Sequence, residues 1–233
     1  AHNGNYGYRR ITSELKTAGY TVNHKKVKRL MSKYNLYGKV IRKKWKKYSS
    51  YEGTVGKVAE NIINRNFAAQ TPNQKWTTDI TEFRLSFGKI YLSPILDMYN
   101  SEIVSYVISK SPKFAQVTTM IDMAFDKIPD DTGIIFHSDQ GWQYQHKTYV
   151  KALKKKGIIQ SMSRKGNCLD NSIMENFFGV LKREMFYGYE KSFKSLYDLE
   201  QKIDEYIEYY NSTRIKMKLK GLSPYQFKRQ AGY

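Results

Sequence analysis

The hydrophobic pattern of residues 71–212 alternates between short strand-like runs and longer helical repeats. The strand-like runs cover residues 76–85, 90–96, 103–108, 133–137 and 158–162. Apolar residues at helical spacing predict helices at about 114–127, 147–156, 172–186 and 195–210. Three successive strands followed by alternating helices and strands are typical of an α/β fold, a mixed sheet with helices on its faces.

The N-terminal residues have a different pattern, with two short helices in place of strands. Ile11, Leu15 and Ala18 share one face of a helix predicted at 8–18, which ends at Gly19. A second helix is predicted after Asn23, a residue type that caps helix N-termini well. Two short helices joined by a glycine-containing turn predict a helix-turn-helix, whose second helix can enter the major groove of DNA.

The second helix of this pair would present four residues to DNA: His24, Lys25, Lys28 and Arg29. The alternative is a plain helical hairpin with a solvated charged face, because the motif is degenerate. The pattern divides the chain into a helix-turn-helix segment at 1–48, a linker at 49–70, a core at 71–212 and a C-terminal tail at 213–233.

The charge of the chain points to an anionic polymer as its partner. Forty Lys and Arg against 21 Asp and Glu give a formal net charge of +19. Residues 1–50 hold fourteen of the basic residues and a single acid, Glu14. Such an excess favours nucleic acid, although a merely solvated basic surface is the alternative.

Other compositional features exclude several classes of protein. No apolar run approaches the ~18 residues of a membrane span, so no membrane partner is expected. The single cysteine, Cys168, cannot form an internal disulfide, which fits a reducing cytoplasm. It has no nearby partner at metal-ligand spacing, so we do not expect a zinc site.

Three carboxylates occupy positions where catalytic groups often lie. Asp79 lies within the first predicted strand, Asp139 just past the fourth, and Glu175 in the first turn of a helix. Converging acids repel one another, and divalent cations remove that repulsion. Mg²⁺ suits such a site, since it binds one or two carboxylates together with waters and phosphate oxygens. Two such ions can promote an in-line phosphoryl displacement.

Several residues near these acids have other interpretations. Asp97 is the main rival acid, and we interpret it as structural. His137 is better explained as a hydrogen-bonded histidine at a strand end than as a ligand of Mg²⁺, which prefers oxygen. Trp76 is expected in the core, whereas Tyr144 is open between core packing and base stacking. Glu175 could instead form a capping box with Ser172.

Three further basic residues are candidate DNA contacts. Arg164 and Lys165 stand beside Gly166 in a loop before the helix of Glu175, and phosphates prefer such residues. Lys182 follows Glu175 by seven residues and so shares its helix face. The alternative for Lys182 is a solvated lysine on a charged helix face.

The residues flanking the acids resemble a known family. Four stretches carry this resemblance: His137-Ser138-Asp139-Gln140-Gly141-Trp142-Gln143-Tyr144, Ser163-Arg164-Lys165-Gly166-Asn167-Cys168-Leu169-Asp170-Asn171-Ser172, Glu175-Asn176-Phe177-Phe178-Gly179 and Leu181-Lys182-Arg183-Glu184. They are similar to the catalytic blocks of bacterial transposases of the retroviral-integrase superfamily, most closely the downstream-frame transposase of the insertion-sequence-three family. Tyr6-Gly7-Tyr8-Arg9-Arg10-Ile11, Tyr210-Asn211-Ser212-Thr213-Arg214 and Leu222-Ser223-Pro224 extend the resemblance over nearly the whole chain. Lys216 departs from it, because many relatives have His there.

The resemblance implies a ribonuclease-H-like core in which Asp79, Asp139 and Glu175 are catalytic metal ligands. It implies Mg²⁺ or Mn²⁺, with two ions when DNA is bound, and the recognition of an element's terminal inverted repeats. Water and then a freed 3′-hydroxyl would attack DNA. A homo-oligomeric synaptic complex with target DNA, in a bacterial cytoplasm at the nucleoid, is also expected.

Two other functions remain open at this point. A nuclease of the same fold would cleave DNA without joining strands, and the helix-turn-helix and the block around Glu175 argue against it. A DNA-binding regulator could have kept the fold and lost activity, although all three carboxylates are present.

Overall fold

The computed structural model describes residues 2–38 and 57–233. The basic residues between 39 and 47 and the first part of the predicted linker lie outside the described residues. Within them, the strands are β1 (Lys75–Thr78), β2 (Thr81–Leu85), β3 (Gly88–Asp97), β4 (Ile103–Ser109), β5 (Ile135–Ser138) and β6 (Ile159–Met162). The helices are α1 (Tyr8–Thr17), α2 (His24–Lys33), α3 (Phe114–Phe125), α4 (Trp142–Gln145), α5 (Lys147–Lys155), α6 (Ser172–Leu181), α7 (Leu196–Ser212) and α8 (Pro224–Gln230).

The strands form one mixed sheet, which confirms the predicted α/β fold. Strand β3 pairs antiparallel with β1 and β2 on one side and with β4 on the other. Strand β1 pairs parallel with β5, and β5 pairs parallel with β6. The chain therefore changes from antiparallel to parallel pairing at β1, and the carboxyl ends of β1 and β5 lie at the same edge of the sheet.

The strand predicted at 76–85 is two strands, so the prediction that Asp79 lies within a strand is wrong. Thr78 pairs with Ile95 and Thr81 pairs with Leu92, so β1 and β2 follow one register along β3. Continued across the break, that register would place Asp79 opposite Pro94. Proline has no amide hydrogen to donate to the ladder, which explains the interruption at this point.

Two hydrophobic clusters cover the two faces of the sheet. Ile90, Leu92 and Leu96 of β3 pack in one cluster with residues of α6 and α7. Ile95 of the same strand packs in the other cluster with residues of α3 and α5. Because successive side chains of a strand point to opposite faces, α6 and α7 cover one face and α3 and α5 cover the other.

Helices α1 and α2 form the predicted pair, and their N-terminal segment packs against the end of the chain. The Asn23 side chain accepts a 2.8 Å hydrogen bond from the Lys25 amide, which confirms the predicted cap of α2. Tyr6 is buried, and its hydroxyl accepts a 2.9 Å hydrogen bond from the Ile215 amide. The helix pair is therefore anchored to the segment that follows α7.

Other boundaries differ from the predictions because tertiary contacts decide them. The helix predicted at 172–186 ends at Leu181 and continues as a π turn over Lys182–Phe186. The predicted tail contains α8, which begins with a capping box between Ser223 and Gln226. It is held by an ion pair of 3.1 Å between Lys228 and Glu102. In residues 2–38 and 57–233, no helix is long and apolar enough to cross a membrane.

Candidate active site

Asp79 and Asp139 lie side by side because of the register between two parallel strands. Thr77 of β1 pairs with His137 of β5. Continued by two residues, this register places Asp79 next to Asp139, each just beyond the end of its strand. Neighbouring strands are separated by about 4.8 Å, so the two carboxyl groups share one small region at the carboxyl edge of the sheet.

Backbone amides hold one oxygen of each of these carboxyl groups. The Ile80 amide donates a 2.7 Å hydrogen bond to Asp79 Oδ1, and the Gly141 amide donates a 2.9 Å bond to Asp139 Oδ1. A Cβ atom at position 141 would lie 2.9 Å from Asp139 Oδ1, closer than real contacts allow. Any side chain at position 141 would therefore have to displace the Asp139 carboxylate.

Glu175 is placed by a link between β1 and the start of α6. The Thr77 hydroxyl donates a 2.7 Å hydrogen bond to Asn171 Oδ1, and Asn171 Nδ2 donates a 3.4 Å bond to the Thr78 carbonyl. Asn171 directly precedes α6, and Glu175 is exposed in the first turn of that helix. These bonds fix where Glu175 stands relative to the end of β1.

The capping-box interpretation of Glu175 is wrong. The N-cap residue of α6 is Asn171, and no side chain caps the helix by a hydrogen bond. Ser172 is the first residue of the helix and not its cap. Glu175 is therefore not needed to hold the helix end.

The carboxyl groups influence one another electrostatically. Burial raises the pKa of Asp79 well above its usual value, and the charges of Asp139 and Glu175 raise it further. The Ile80 hydrogen bond and the charge of Lys182 act in the opposite direction. Burial also raises the pKa of Asp139, against the effect of the Gly141 amide. Partial desolvation of the carboxyl group raises the pKa of Glu175, although the residue as a whole is exposed. The site therefore disfavours three ionised carboxylates in the absence of a cation.

The donor set fits a hard divalent cation, although the three acids are not gathered as a ready-made metal site. Among the described residues, no three His, Cys, Asp or Glu side chains are close enough together to hold a metal ion. Asp79 and Asp139 are adjacent, and Glu175 is near enough for its charge to affect Asp79. All three offer oxygen, which Mg²⁺ and Mn²⁺ prefer, and a cation would relieve the repulsion between them.

The candidate DNA contacts near the acids are engaged within the protein. Lys182 Nζ donates hydrogen bonds of 2.6 Å to Thr81 Oγ1 and 2.8 Å to the Glu82 carbonyl. This places Lys182 beside Asp79, and the solvated alternative is wrong. Arg164 donates two bonds, of 2.9 and 2.8 Å, to the carboxylate of Asp170.

The remaining basic candidates lie at the surface. His24, Lys25, Lys28 and Arg29 are all exposed on α2, and Lys165 is exposed in the loop before α6. The contacts of these residues with DNA stay predictions, as do those of Arg164 and Lys182.

The other interpreted side chains are structural. His137 is fully buried, and its ring nitrogens lie 2.9 and 3.1 Å from the hydroxyls of Ser161 and Ser163, which confirms that it is hydrogen-bonded. Burial lowers its pKa to about 4. Asp97 is buried and accepts hydrogen bonds from two backbone amides. Trp76 and Tyr144 are both buried in the cluster that α3 and α5 form with the sheet.

Sequence reasoning did not assign roles to three residues that organise the site: Gly141, Asp170 and Asn171. The Asp170 carboxylate receives bonds from Arg164, Arg65 and Asn61, and it thereby ties the loop before α6 to residues 61–65. These bonds hold its pKa well below its usual range. Asp170 and Asn171 stand immediately before the helix of Glu175 in the sequence, and this position could have indicated that they hold the start of the helix.

Comparison with protein families gives matches along most of the chain. Residues 69–168 match the model "Integrase core domain", and residues 175–231 match a second model of that description. Residues 1–44 match the model "HTH-like domain". The described helix pair α1–α2 lies in the last of these matches.

The chain is also similar to individual transposases. It is 49% identical to the putative transposase of insertion sequence element IS150 from Escherichia coli K12, over 97% of this chain and 78% of that protein. It is 52% identical to an uncharacterized transposase-like protein of Haemophilus influenzae, over 90% of this chain and 94% of that protein. It is 34% identical to the transposase of insertion sequence IS3A from Escherichia coli K12, over 97% of this chain and 77% of that protein.

A solved structure shows the same core fold. The catalytic core domain of the HTLV-2 integrase in complex with magnesium superposes with a TM-score of 0.54 at 16% identity, over 68% of this chain and 98% of that domain. The family models and the solved structure show an integrase-type, ribonuclease-H-like core and a helix-turn-helix-like N-terminal segment. With the similarity to these transposases, they establish that the chain belongs to the insertion-sequence-three (IS3) family of transposases.

Proposed function

We propose that this chain binds the ends of an insertion sequence and catalyses both DNA strand cleavage and strand transfer. Asp79, Asp139 and Glu175 act as the catalytic metal ligands, with Mg²⁺ or Mn²⁺ as the cation. The observation that carries the proposal is the register of β1 with β5, which puts Asp79 beside Asp139. The pKa of Asp79 responds to both other acids, which supports their action as one unit.

The chemistry proposed for the cation is that of a two-metal phosphoryl transfer. When bound, two such ions activate the attacking oxygen and stabilise the leaving oxygen of an in-line displacement. The protein orients the ligands, since the amides of Ile80 and Gly141 each hold one carboxylate oxygen. Asn171, bonded to Thr77 and to the Thr78 carbonyl, positions the helix that carries Glu175.

We assign DNA recognition to the N-terminal segment, residues 1–48. Residues 71–212 would form the catalytic core, and residues 213–233 the C-terminal part. Exposed His24, Lys25, Lys28 and Arg29 on α2 would contact the terminal repeats. Arg164, Lys165 and Lys182 would contact DNA near the acids. Holding two element ends and a target together requires several active sites, so a homo-oligomer is part of the proposal.

Glu175→Gln is the variant that tests this function. The amide keeps the size and polarity of the side chain but is a poor ligand for a hard cation. Since Glu175 caps nothing, we expect melting without metal to match wild type, element-end binding to persist, and cleavage and strand transfer of a labelled element end to disappear. Glu208→Gln, an exposed glutamate on α7, is the matched control and should keep full activity.

The assay also separates the proposal from the two alternatives. Cleavage without joining by the wild-type protein would identify a nuclease. End binding with neither reaction would identify a DNA-binding regulator. A Glu175→Gln protein that cuts and joins at wild-type rates would refute the three-carboxylate mechanism.

A further inference from the structure

A cavity of about 490 Å³ lies next to α6, between α1 and the segment that follows α7. Helix α6 contributes Ser172 and Asn176 to its wall. Glu175 precedes Asn176 by one residue, and at about 100° per residue it occupies the neighbouring face of the helix. The cavity therefore shares the first turn of α6 with the proposed active site and contains none of its three acids.

The wall of the cavity is strongly basic. Arg10, Arg214, Lys216 and Lys218 line it, and no Asp or Glu among the described residues does so. Behind the wall, Glu184 accepts bonds of 2.7 and 2.5 Å from Arg214 and lies 3.7 Å from Arg10. This one carboxylate contacts two of the four cations, so the wall keeps an excess of positive charge.

Lys216 is one of the two cations of the wall that Glu184 does not contact. Its Nζ donates a 2.7 Å hydrogen bond to the Tyr210 hydroxyl, and it forms no ion pair with any residue that the structure describes. Burial, followed by the charges of Arg214, Lys218 and Arg10, lowers the pKa of Lys216 to about 7. A half-buried ammonium group among other cations is costly unless an anion compensates it.

The polar groups of the wall match the chemistry of a phosphate. Arginine and lysine supply charged donors to phosphate oxygens, and hydroxyl and amide side chains such as those of Ser172 and Asn176 commonly contact the DNA backbone. A DNA strand is a continuous row of phosphates, so a strand bound at Glu175 would bring further phosphates to the first turn of α6. A free phosphate ion offers the same oxygen atoms, so a test of the cavity must separate it from a DNA phosphate.

We propose that this cavity binds a backbone phosphate of the DNA strand that enters the active site, and that Lys216 and Lys218 hold it. The proposal rests on the proposed function, because it takes DNA as the substrate. It adds a contact made jointly by the N-terminal helix, the helix of Glu175 and the C-terminal segment. Binding of DNA would thereby couple the three parts of the chain.

Two substitutions test this site through the salt dependence of DNA binding. Lys216→Met keeps a long unbranched side chain and removes the ammonium group, which lies 4.9 Å from the centre of the Tyr210 ring. Lys218→Gln removes the charge of an exposed residue. Lys151→Gln is the control, an exposed lysine of α5 on the opposite side of the sheet. Affinity for a labelled duplex and the slope of its logarithm against the logarithm of salt concentration are measured for each protein.

We expect Lys216→Met to weaken duplex binding by about tenfold, as the loss of a charge-assisted bond does. The salt slope should fall by about one, since one fewer phosphate is neutralised. Lys218→Gln should move both values in the same direction, and Lys151→Gln should change neither. Unaltered affinity and slope in both cavity variants would overturn the proposal.

Inorganic phosphate alone distinguishes the two sources of the ligand. If it stabilises the wild-type protein against heat and not Lys216→Met, while the duplex affinity of Lys216→Met is unchanged, the cavity is a free-anion site and the DNA assignment is overturned. A wild-type protein that binds DNA but never cleaves or joins it would refute the proposed function alone. The phosphate site would then still be supported by the change in salt slope.

Discussion

The Thr77 hydroxyl donates a 2.7 Å hydrogen bond to the side-chain carbonyl of Asn171, and so joins the end of β1 to the start of α6. Both residues are buried. Asp79 lies two residues beyond Thr77, and Glu175 lies in the first helical turn after Asn171. This single bond therefore connects the backbones that carry two of the proposed metal ligands.

Thr77→Val should impair catalysis more than stability. The substitution preserves shape but leaves the buried Asn171 carbonyl without this donor, so we expect a loss of about 1–3 kcal/mol in unfolding free energy. Misplacement of Glu175 should reduce strand transfer by about 100-fold while end binding persists. Thr119→Val, at an exposed threonine on α3, is the control. Wild-type strand transfer by Thr77→Val would show that the bond does not position Glu175.

Gly141→Ala should displace the Asp139 carboxylate. The added Cβ would lie 2.9 Å from Asp139 Oδ1 and 3.2 Å from Gln143 Oε1, so neighbouring atoms must move. We expect the apparent affinity for Mn²⁺ and the rate of cleavage to fall together, with end binding unchanged. Gly7→Ala has no atom within 4 Å of its new Cβ and provides the control. Cleavage by Gly141→Ala at the wild-type rate would contradict this role of the glycine.

Mg²⁺ or Mn²⁺ should raise the melting temperature of the wild-type protein. Burial and mutual repulsion raise the pKa of Asp79, and a cation bound by the folded state alone stabilises it by mass action. Asp139→Asn should melt at the wild-type temperature or above it without metal, because one repulsive charge is gone. It should lose most of the metal-dependent gain. Equal metal responses in the two proteins would exclude Asp139 as a ligand.

Replacing Lys25, Lys28 and Arg29 of α2 by Gln should weaken binding to element ends and lower the salt slope by roughly three, one for each lost phosphate contact. All three side chains are exposed, so melting should not change. A triple Gln variant of exposed Lys147, Lys151 and Lys154 on α5 is the control for net charge. Equal loss of affinity in both triple variants would indicate binding to a diffuse basic surface.

Asp170→Asn should destabilise the fold. It removes the charge of a buried carboxylate that binds Arg164 and Arg65, and because both arginines are about half exposed we expect a loss of about 1.5–3 kcal/mol, as for hydrogen bonds to a charged group. Asp130→Asn removes an exposed carboxylate that pairs with Lys156 at 2.7 Å and should change the unfolding free energy much less. Chemical denaturation of the three proteins measures both values. Similar small losses would mean that Asp170 does not hold the loop before α6.

The ion pairs of Asp170 with Arg164 and Arg65 make the free energy of unfolding depend on pH. The pKa of Asp170 is lowered in the folded state, so its contribution is present above the unfolded value of about 3.9 and is lost as pH falls below it. The difference in unfolding free energy between wild type and Asp170→Asn should therefore shrink with acidification below about pH 4. A difference that stays constant down to pH 2 would contradict the assignment.

The local pattern of the chain predicts most of the strands and helices and selects the three acids as candidate ligands. Alternation and helical spacing predict the strands and helices because each element buries one face. Asn23 reveals the start of α2 for a similar local reason, since its side chain bonds to an amide two residues away. The blocks around Asp139 and Glu175 carry the resemblance to the family because they are short and continuous.

Only the tertiary structure decided how these residues meet. The break at Asp79 depends on Pro94, which reaches that position through the register of β3. The position of Glu175 depends on Asn171 and Thr77, which are distant in sequence. The cavity at Lys216 forms where α1, α6 and the C-terminal segment pack together. Contacts between remote segments are selected by packing and charge in three dimensions, and no periodicity along the chain records them.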